Sequence, residues 1–447
     1  MSGGIAGKLA KGLELEKMLV DSIWSGLGDF KGVVEDVSDI ISSEVGKCHE
    51  GLVRRLLEQR ILVHPPVSGE TCGPLIVYKD NFMRSGEPAS LGTGYLTLHP
   101  QTTSWLLEKL ASAGFKLLGR GNMHELGLGT TNVNPHTGTP VNPVAPGRIT
   151  GGSSGGPAAA VATGEVYLGV GTDAAGSIRV PAAFTGVYGV KPVMDETSDA
   201  DFYTVMPSLE TAGFLAKTPL HVVPPLYLAG LIELEEVLQA YKKLATRKAT
   251  IGVFKFTRRI SEEVSEAYHR VLALLDEAGL TYRVIPEGRL AWFMAAERLR
   301  AIIALREAYL SLYREYRVFS DVMGDDIRLI LDLGSRIDHA LYMEARGMLG
   351  RVRRLARLLL GEYDLVLLPT VPRDAPKLDE VTPELSASST FTWLTGPFNV
   401  LDLPAASVPI WSVRLPSGIP FPLQLASASS TGALVGYSIL LYKFLNK

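Results

Sequence analysis

Two glycine-rich clusters in this chain carry hydroxyls: Gly151-Gly152-Ser153-Ser154-Gly155-Gly156 and Ala174-Ala175-Gly176-Ser177. Glycine admits backbone states that a side chain forbids and lets N–H groups and hydroxyls approach a ligand closely. Such clusters suit a slack linker, a phosphate cradle or a turn that holds a nucleophilic serine. The linker reading fails on the residues after the first cluster, because Pro157 suits a first helical position and predicts a short helix starting just after Gly156. The phosphate reading fails as well. Gly169, Gly171 and Ala174 fit G-x-G-x-x-G/A after a strand-like stretch, with Asp195 or Glu196 near the spacing of a ribose-binding acid. However, Pro181 and Gly186 interrupt the long helix that a dinucleotide fold needs. No G-x-x-x-x-G-K-[ST] occurs. Serine chemistry remains, with room between the clusters for one helix and one strand on which the chain doubles back.

A serine nucleophile needs a base, and histidine is the usual one. The eight histidines are scattered. His124-Glu125 begins like the zinc motif H-E-x-x-H, but Leu128 stands where the second ligand belongs, so no metal is expected and His124 reads as a structural or pocket-wall residue. The stretch GPLIVYKDNF, residues 73 to 82, offers a lysine instead. If residues 75 to 79 are extended, Leu75, Val77 and Lys79 share one face and the ammonium turns inward while Asp80 points away. The alternative is a lysine that snorkels to the surface.

The elements that would position these groups alternate between helix and strand. Residues 102 to 113 have helical spacing and close at Gly114 before an extended run, 115 to 118. A strand at 250 to 254, a helix at 261 to 278 with Glu262 and Glu263 in its first turn, and a strand at 282 to 285 repeat the pattern. Residues 364 to 368 make a further buried strand. This alternation predicts an α/β fold, a sheet covered by helices. The stretch from about 290 to 360 is mostly helical, and its arginines 346, 351, 353, 354 and 357 read as a solvated face or, alternatively, as a site for an anionic partner. No internal repeat or long linker forces a cut, so a single domain over 1–447 is expected.

Bulk properties exclude several classes. The chain has 44 Lys plus Arg against 47 Asp plus Glu, a net charge of −3, which argues against a broad footprint for nucleic acid or an anionic membrane. Lys8, Lys11, Glu14, Glu16 and Lys17 break any signal-peptide run, and the apolar stretch 433 to 441 is too short to span a bilayer. Cys48 and Cys72 are the only cysteines; they rule out a disulfide framework and suit a reducing cytosol, so a cytoplasmic protein is expected.

The run GGSSGG, followed by GTDAAGSIRVPAAFTGVYGVKP and preceded by a KDN segment, resembles the amidase signature family. The likeness is densest from about 70 to 192 and returns at YDLVLLPTVP, TGPFNVLDLPAASVP and GIPFPLQL. It implies a large mixed β-sheet core surrounded by α-helices, and cleavage of amide bonds by a Ser, cis-Ser, Lys triad. Residue by residue, the nucleophile falls on Ser177, the bridging cis-serine on Ser153 and the lysine on Lys79, with no cofactor and no metal. Ser154, Asp173 and Arg179 would support the site, and the N–H groups of Ala174, Ala175, Gly176 and Ser177 would form the oxyanion hole.

These roles make physical demands. Lys79 accepts a proton only when neutral, and half-neutrality near pH 7 requires its value to fall by about 3.4 from about 10.4, roughly 4.6 kcal/mol. Burial can supply that in a dry site. Ser153 can relay the proton, since a hydroxyl both donates and accepts. Ala175 stands where the family usually has glycine, and would add roughly 1 to 2 kcal/mol if a positive φ were required. Arg179 either braces the loop with Asp173 or grips a substrate carboxylate. The segment 194 to 209 departs most from the family. Phe82, Met123, Leu126 and Phe398 are either pocket wall or core. The stretch GRGNMHELGLGTTNVNPHTGTPVNP resembles members acting on free carboxamides more than the glutamine-hydrolysing member of the glutamyl-tRNA amidotransferase complex, which usually has an acid at His124. That member, releasing ammonia from glutamine beside partner subunits, is the alternative enzyme; a non-catalytic binding relative is the alternative outside catalysis. A small-molecule amide is the expected partner, and a homo-oligomer is left open.

Overall fold

The computed structural model describes residues 36, 39–40, 42–44, 47–65, 71–197, 201–256 and 259–447. Ten strands form one mixed sheet: β1 (Leu75–Lys79), β2 (Lys116–Gly121), β3 (Leu168–Asp173), β4 (Tyr188–Lys191), β5 (Thr211–Ala216), β6 (Ile251–Val253), β7 (Tyr282–Val284), β8 (Leu365–Pro369), β9 (Ala405–Arg414) and β10 (Pro420–Ala426). They run in the order β2-β1-β3-β5-β4-β9-β10-β8-β6-β7. Pairing is parallel at both flanks, β2-β1-β3 and β8-β6-β7, and antiparallel through the middle. Helices cover both faces, as apolar strands with few polar positions require.

β1 shows how the sheet aims its ends. Ile76 and Tyr78 pack into one core cluster with Leu106, Leu110 and Leu440, whereas Leu75 and Val77 pack into another with Ala158 to Val161. That alternation carries Lys79 to the strand's C-terminal end, fully enclosed. The next residue, Asp80, is equally buried and accepts hydrogen bonds from Ser90 N (3.1 Å), Ser90 Oγ (2.5 Å) and Gly92 N (3.2 Å).

The short helix after the first glycine cluster runs Gly155–Ala162 and so begins two residues before Pro157, earlier than the proline alone suggests. Its small side chains allow close approach. A Cβ on Gly156 would stand 2.3 Å from Asn122 N and 2.4 Å from Asn122 O, so no larger residue fits there. Most other expected elements appear within a few residues: helices Trp105–Ser112 and Glu262–Glu277, and the four helices Glu287–Ser311, Tyr313–Phe319, Asp325–Ser335 and His339–Leu360 in the charged segment. The apolar tail is a buried helix, Thr431–Leu445. No helix among the described residues is long and apolar enough to cross a membrane.

One expectation is corrected. Cys48 and Cys72 are joined as a disulfide. They form an isolated antiparallel bridge flanked by His49 N to Thr71 O (3.0 Å) and Gly73 N to Lys47 O (2.8 Å). This is the non-hydrogen-bonded kind of pair, in which facing side chains approach most closely, and the two Cα atoms stand 4.0 Å apart. Cysteine count alone could not show that register, and the pairing removes the ground for expecting a reducing compartment.

Candidate active site

The end of β1, the strand β3 and the first glycine cluster meet at Lys79. Its Nζ donates to Ser153 Oγ at 2.8 Å and to Thr172 Oγ1 at 2.7 Å. Asn81 Nδ2 also donates to Thr172 Oγ1, at 3.3 Å. Lys79, Ser153 and Thr172 are all buried. Burial pushes the Lys79 ammonium down to about 8, against the Glu210 and Asp173 carboxylates, which favour the charged form. The fall stops about one short of half-neutrality at pH 7, so about a tenth of the lysine is neutral there.

The peptide bond between Gly152 and Ser153 is cis. Each residue from 152 to 156 is held by the main chain or a side chain of a neighbouring segment. Gly152 N donates to Thr130 O (2.8 Å), His124 N donates to Ser153 O (3.1 Å), Ser154 N donates to Ser177 O (3.2 Å), and Gly156 N donates to Asn122 O (2.8 Å). Gly155 N donates to Asn132 Oδ1 (3.1 Å), and Ser154 Oγ to Thr172 O (3.3 Å). The first glycine cluster is thus a fixed loop, and Ser154 is the residue that ties it to the second.

In the second cluster the positive φ falls on Gly176, at 141°, where a Cβ would meet Thr395 Oγ1 at 2.3 Å. Ala175 is not among the residues at positive φ, so the alanine carries none of the strain its position raised. No acceptor among the described residues takes the N–H groups of Ala174, Ala175, Gly176 or Ser177. Ser177 itself is half-buried.

Behind this loop Arg179 is fully buried. Its Nε donates to Asp173 Oδ2 (3.0 Å) and its Nη2 to Asp173 Oδ1 (2.8 Å) and Asn399 Oδ1 (2.7 Å). Its Nη1 donates to Thr395 O (2.7 Å) and Gln424 Oε1 (2.8 Å). Asp173 Oδ2 also accepts from Ile178 N (3.2 Å). Burial alone would push the Asp173 carboxyl up, but the Arg179 charge and hydrogen bonds, with Asn399 and Lys191, hold it down at about 2. With five hydrogen bonds made inside the protein, all three guanidinium nitrogens are engaged and the arginine faces no opening; its geometry is that of a brace.

The remaining sequence candidates separate clearly. Phe82, Met123, Leu126 and Phe398 are all buried, and Phe82, Leu126 and Phe398 lie inside apolar clusters. No group of three metal-ligating side chains occurs among the described residues. A surface cleft of about 450 Å³ is lined by Arg259, Ser261, Arg373, Thr390 and Trp393, among others, but by none of Lys79, Ser153 or Ser177; the chemistry, not that opening, locates the site. Sequence reasoning missed Thr172. Strand alternation sets it on the face of Leu168 and Val170, away from that of Leu75 and Val77, so periodicity does not pair it with Lys79.

A family model described as amidase matches residues 67–431. The chain belongs to the amidase family. As an amidase it is a hydrolase of carbon–nitrogen amide bonds. It is 31% identical over 367 residues to an indoleacetamide hydrolase of Pseudomonas savastanoi, covering 78% of this amidase and 79% of that protein. It is 30% identical over 408 residues to the A subunit of the glutamyl-tRNA(Gln) amidotransferase of Halobacterium salinarum, covering 80% and 93%. A crystal structure of an amidase superposes with a TM-score of 0.73 at 26% identity, covering 97% of this amidase and 99% of that chain.

Proposed function

We propose that this amidase hydrolyses a small primary carboxamide through an acyl-enzyme on Ser177. The observation that carries the reading is the contact of the Lys79 amine with Ser153 Oγ at 2.8 Å, both residues being buried. Ser177 Oγ attacks the amide carbon while its proton passes to Ser153, whose own proton passes to neutral Lys79. The carbonyl oxygen gains the negative charge and lies against the N–H groups of 174 to 177, where losing one donor typically costs about 3 to 4 kcal/mol. The C–N bond then breaks, the nitrogen takes the proton back through Ser153, and ammonia leaves. Water enters by the same route in reverse, loses a proton toward Lys79, and frees the carboxylate and Ser177. Every proton is returned, so no cofactor is required. Thr172 accepts one Lys79 hydrogen, which leaves the other N–H and the lone pair of the neutral amine, and the lone pair takes the Ser153 proton. Asp173 and Arg179 brace the loop.

The relatives support the choice of substrate class. The sequence resemblance sets His124 where the amidotransferase A subunits usually have an acid, which favours a free carboxamide over glutamine; the likeness to such a subunit keeps glutamine as the second reading. The test is labelling with a serine-directed fluorophosphonate, located by mass spectrometry, followed by an ammonia-release screen over aryl, alkyl and glutamine amides. An adduct on Ser177 that disappears in Lys79→Ala supports the reading. An adduct elsewhere, or none in folded protein, sinks it; release from glutamine alone selects the second reading.

A further inference from the structure

His124 stands between the helical segment and the cis-serine loop. Its main-chain N–H holds Ser153 O, and its ring is buried. Ring Nδ1 accepts the N–H of Asn132 at 3.0 Å, while Nε2 lies 2.9 Å from Asp326 Oδ2. An N–H aimed at Nδ1 and a carboxylate at Nε2 fit one neutral tautomer, the one with its proton on Nε2. Burial pushes the Asp326 carboxyl up, but the hydrogen bonds from His124, the Ser386 hydroxyl and Ile327 N outweigh it and hold the group below its ordinary value. Ser386 Oγ donates to the same Oδ2 at 2.6 Å.

Asn132 is in turn a clamp. It sits at a φ of 59°, its Oδ1 holds Gly155 N, and two residues before it Thr130 O holds Gly152 N. The strap 130 to 132 therefore grips the loop on both sides of Ser153, and its tie back to residue 124 passes through the imidazole. With the proton moved to Nδ1, a donor would face the Asn132 N–H and that tie would be lost. Anchoring the helix Asp325–Ser335 does not itself need Asp326, because Glu125 Oε2 already accepts from Gly324 N at 3.1 Å.

We infer that Asp326 is a positioning residue for the reaction: by fixing the proton of His124 on Nε2 it secures the 130 to 132 strap and thereby the place of Ser153 Oγ beside Lys79. The inference rests on the proposed relay role of Ser153. It assigns a purpose within the active site to a residue of the helical segment, 202 positions away from His124.

The test compares fluorophosphonate labelling rates at Ser177 with ¹⁵N spectra of histidine-labelled protein, the His124 signal being assigned by its loss in His124→Gln. Asp326→Ala is expected to slow labelling about 10- to 100-fold, by analogy with the loss of a carboxylate that orients a metal-bound imidazole, and to shift His124 toward the Nδ1–H form. Asp326→Asn, whose amide oxygen still accepts from Nε2–H, should stay within about threefold of wild type. The double variant Asp326→Ala with His124→Ala should label no more slowly than His124→Ala alone, since one residue acts through the other. Unchanged labelling in Asp326→Ala, additive losses in the double variant, or a wild-type His124 protonated on Nδ1 would each overturn the inference. If Asp326→Ala does not fold, the wild-type spectrum and Asp326→Asn decide. Absence of wild-type labelling at Ser177 counts against the site reading itself, and the wild-type spectrum then judges the tautomer lock separately.

Discussion

Two lysines end two strands of the same sheet and differ in almost nothing but their partners. Lys79 closes β1 and Lys191 closes β4; both are buried. Burial pushes each down to about 8, Lys79 against Glu210 and Asp173, and Lys191 chiefly against Asp402, with the nearby Arg179 charge lowering it further. Yet Lys191 Nζ donates to a carbonyl, Pro192 O at 2.7 Å, whereas Lys79 Nζ meets two hydroxyls. A carbonyl only accepts; a hydroxyl accepts and gives. A depressed lysine is therefore not by itself a base, and what distinguishes the two ends is a neighbour able to hand over a proton.

The comparison breaks most easily at the lysines. Lys79→Met should lower kcat by about 10³-fold or more, within the usual worth of a general base, and Lys79→Arg should be as poor because a guanidinium keeps its proton. Lys191→Met should keep kcat within about threefold while lowering the melting temperature by several degrees, since Asp402 loses a buried counter-charge. Equal losses of activity at both positions would erase the distinction.

The pH profile sharpens it. In the proposed mechanism the working form of Lys79 is the neutral one, and its folded value lies near 8, below the ordinary 10.5. Going down in pH, the neutral fraction falls tenfold per pH unit below that value. The rate should therefore be about a hundredfold below its plateau at pH 6 and level above about pH 9. Lys191→Met should leave this limb in place, and a rate independent of pH between 6 and 8 would contradict the assignment. Thr172→Val, which removes one of the two hydroxyls, should cost about tenfold in kcat with little change in KM, because the amine is then free to turn from Ser153. The smallest effect is expected at Ala175→Gly, within about twofold, as the alanine is not at positive φ; a large gain would show that the side chain obstructs the oxyanion loop.

The sequence singles out Lys79, Ser153 and Ser177 because each sits in a contiguous string whose glycines or apolar alternation constrain local geometry, and the resemblance supplies the roles proposed for them. The support around them was not legible there. Arg179 finds Thr395, Asn399 and Gln424 across 216 to 245 positions, and no local pattern states such a contact. The motifs TGPFNVLD and FPLQL were visible as likenesses, but their convergence on one guanidinium became evident only in three dimensions. Thr172 was hidden for the opposite reason: strand parity placed it on the other face. Asp80 was expected to point away from the lysine, and its enclosure by Ser90 and Gly92 depends on a loop beyond the strand. Cys48 and Cys72 show the limit of counting, since a pair of half-cystines and a pair of thiols have the same composition.

The reach of Arg179 also bears on how the protein comes into being. A ribosome that has made the first 192 residues has already produced every side chain of the proposed proton path. It has not yet made Thr395, Asn399 or Gln424, and a buried guanidinium lacking three of its four partner residues is costly to enclose. The nascent chain is then expected to remain chemically silent until the segment carrying Gln424 emerges and docks. The serine proposed as nucleophile is thus withheld from the crowded surroundings of synthesis by the order in which its brace is delivered.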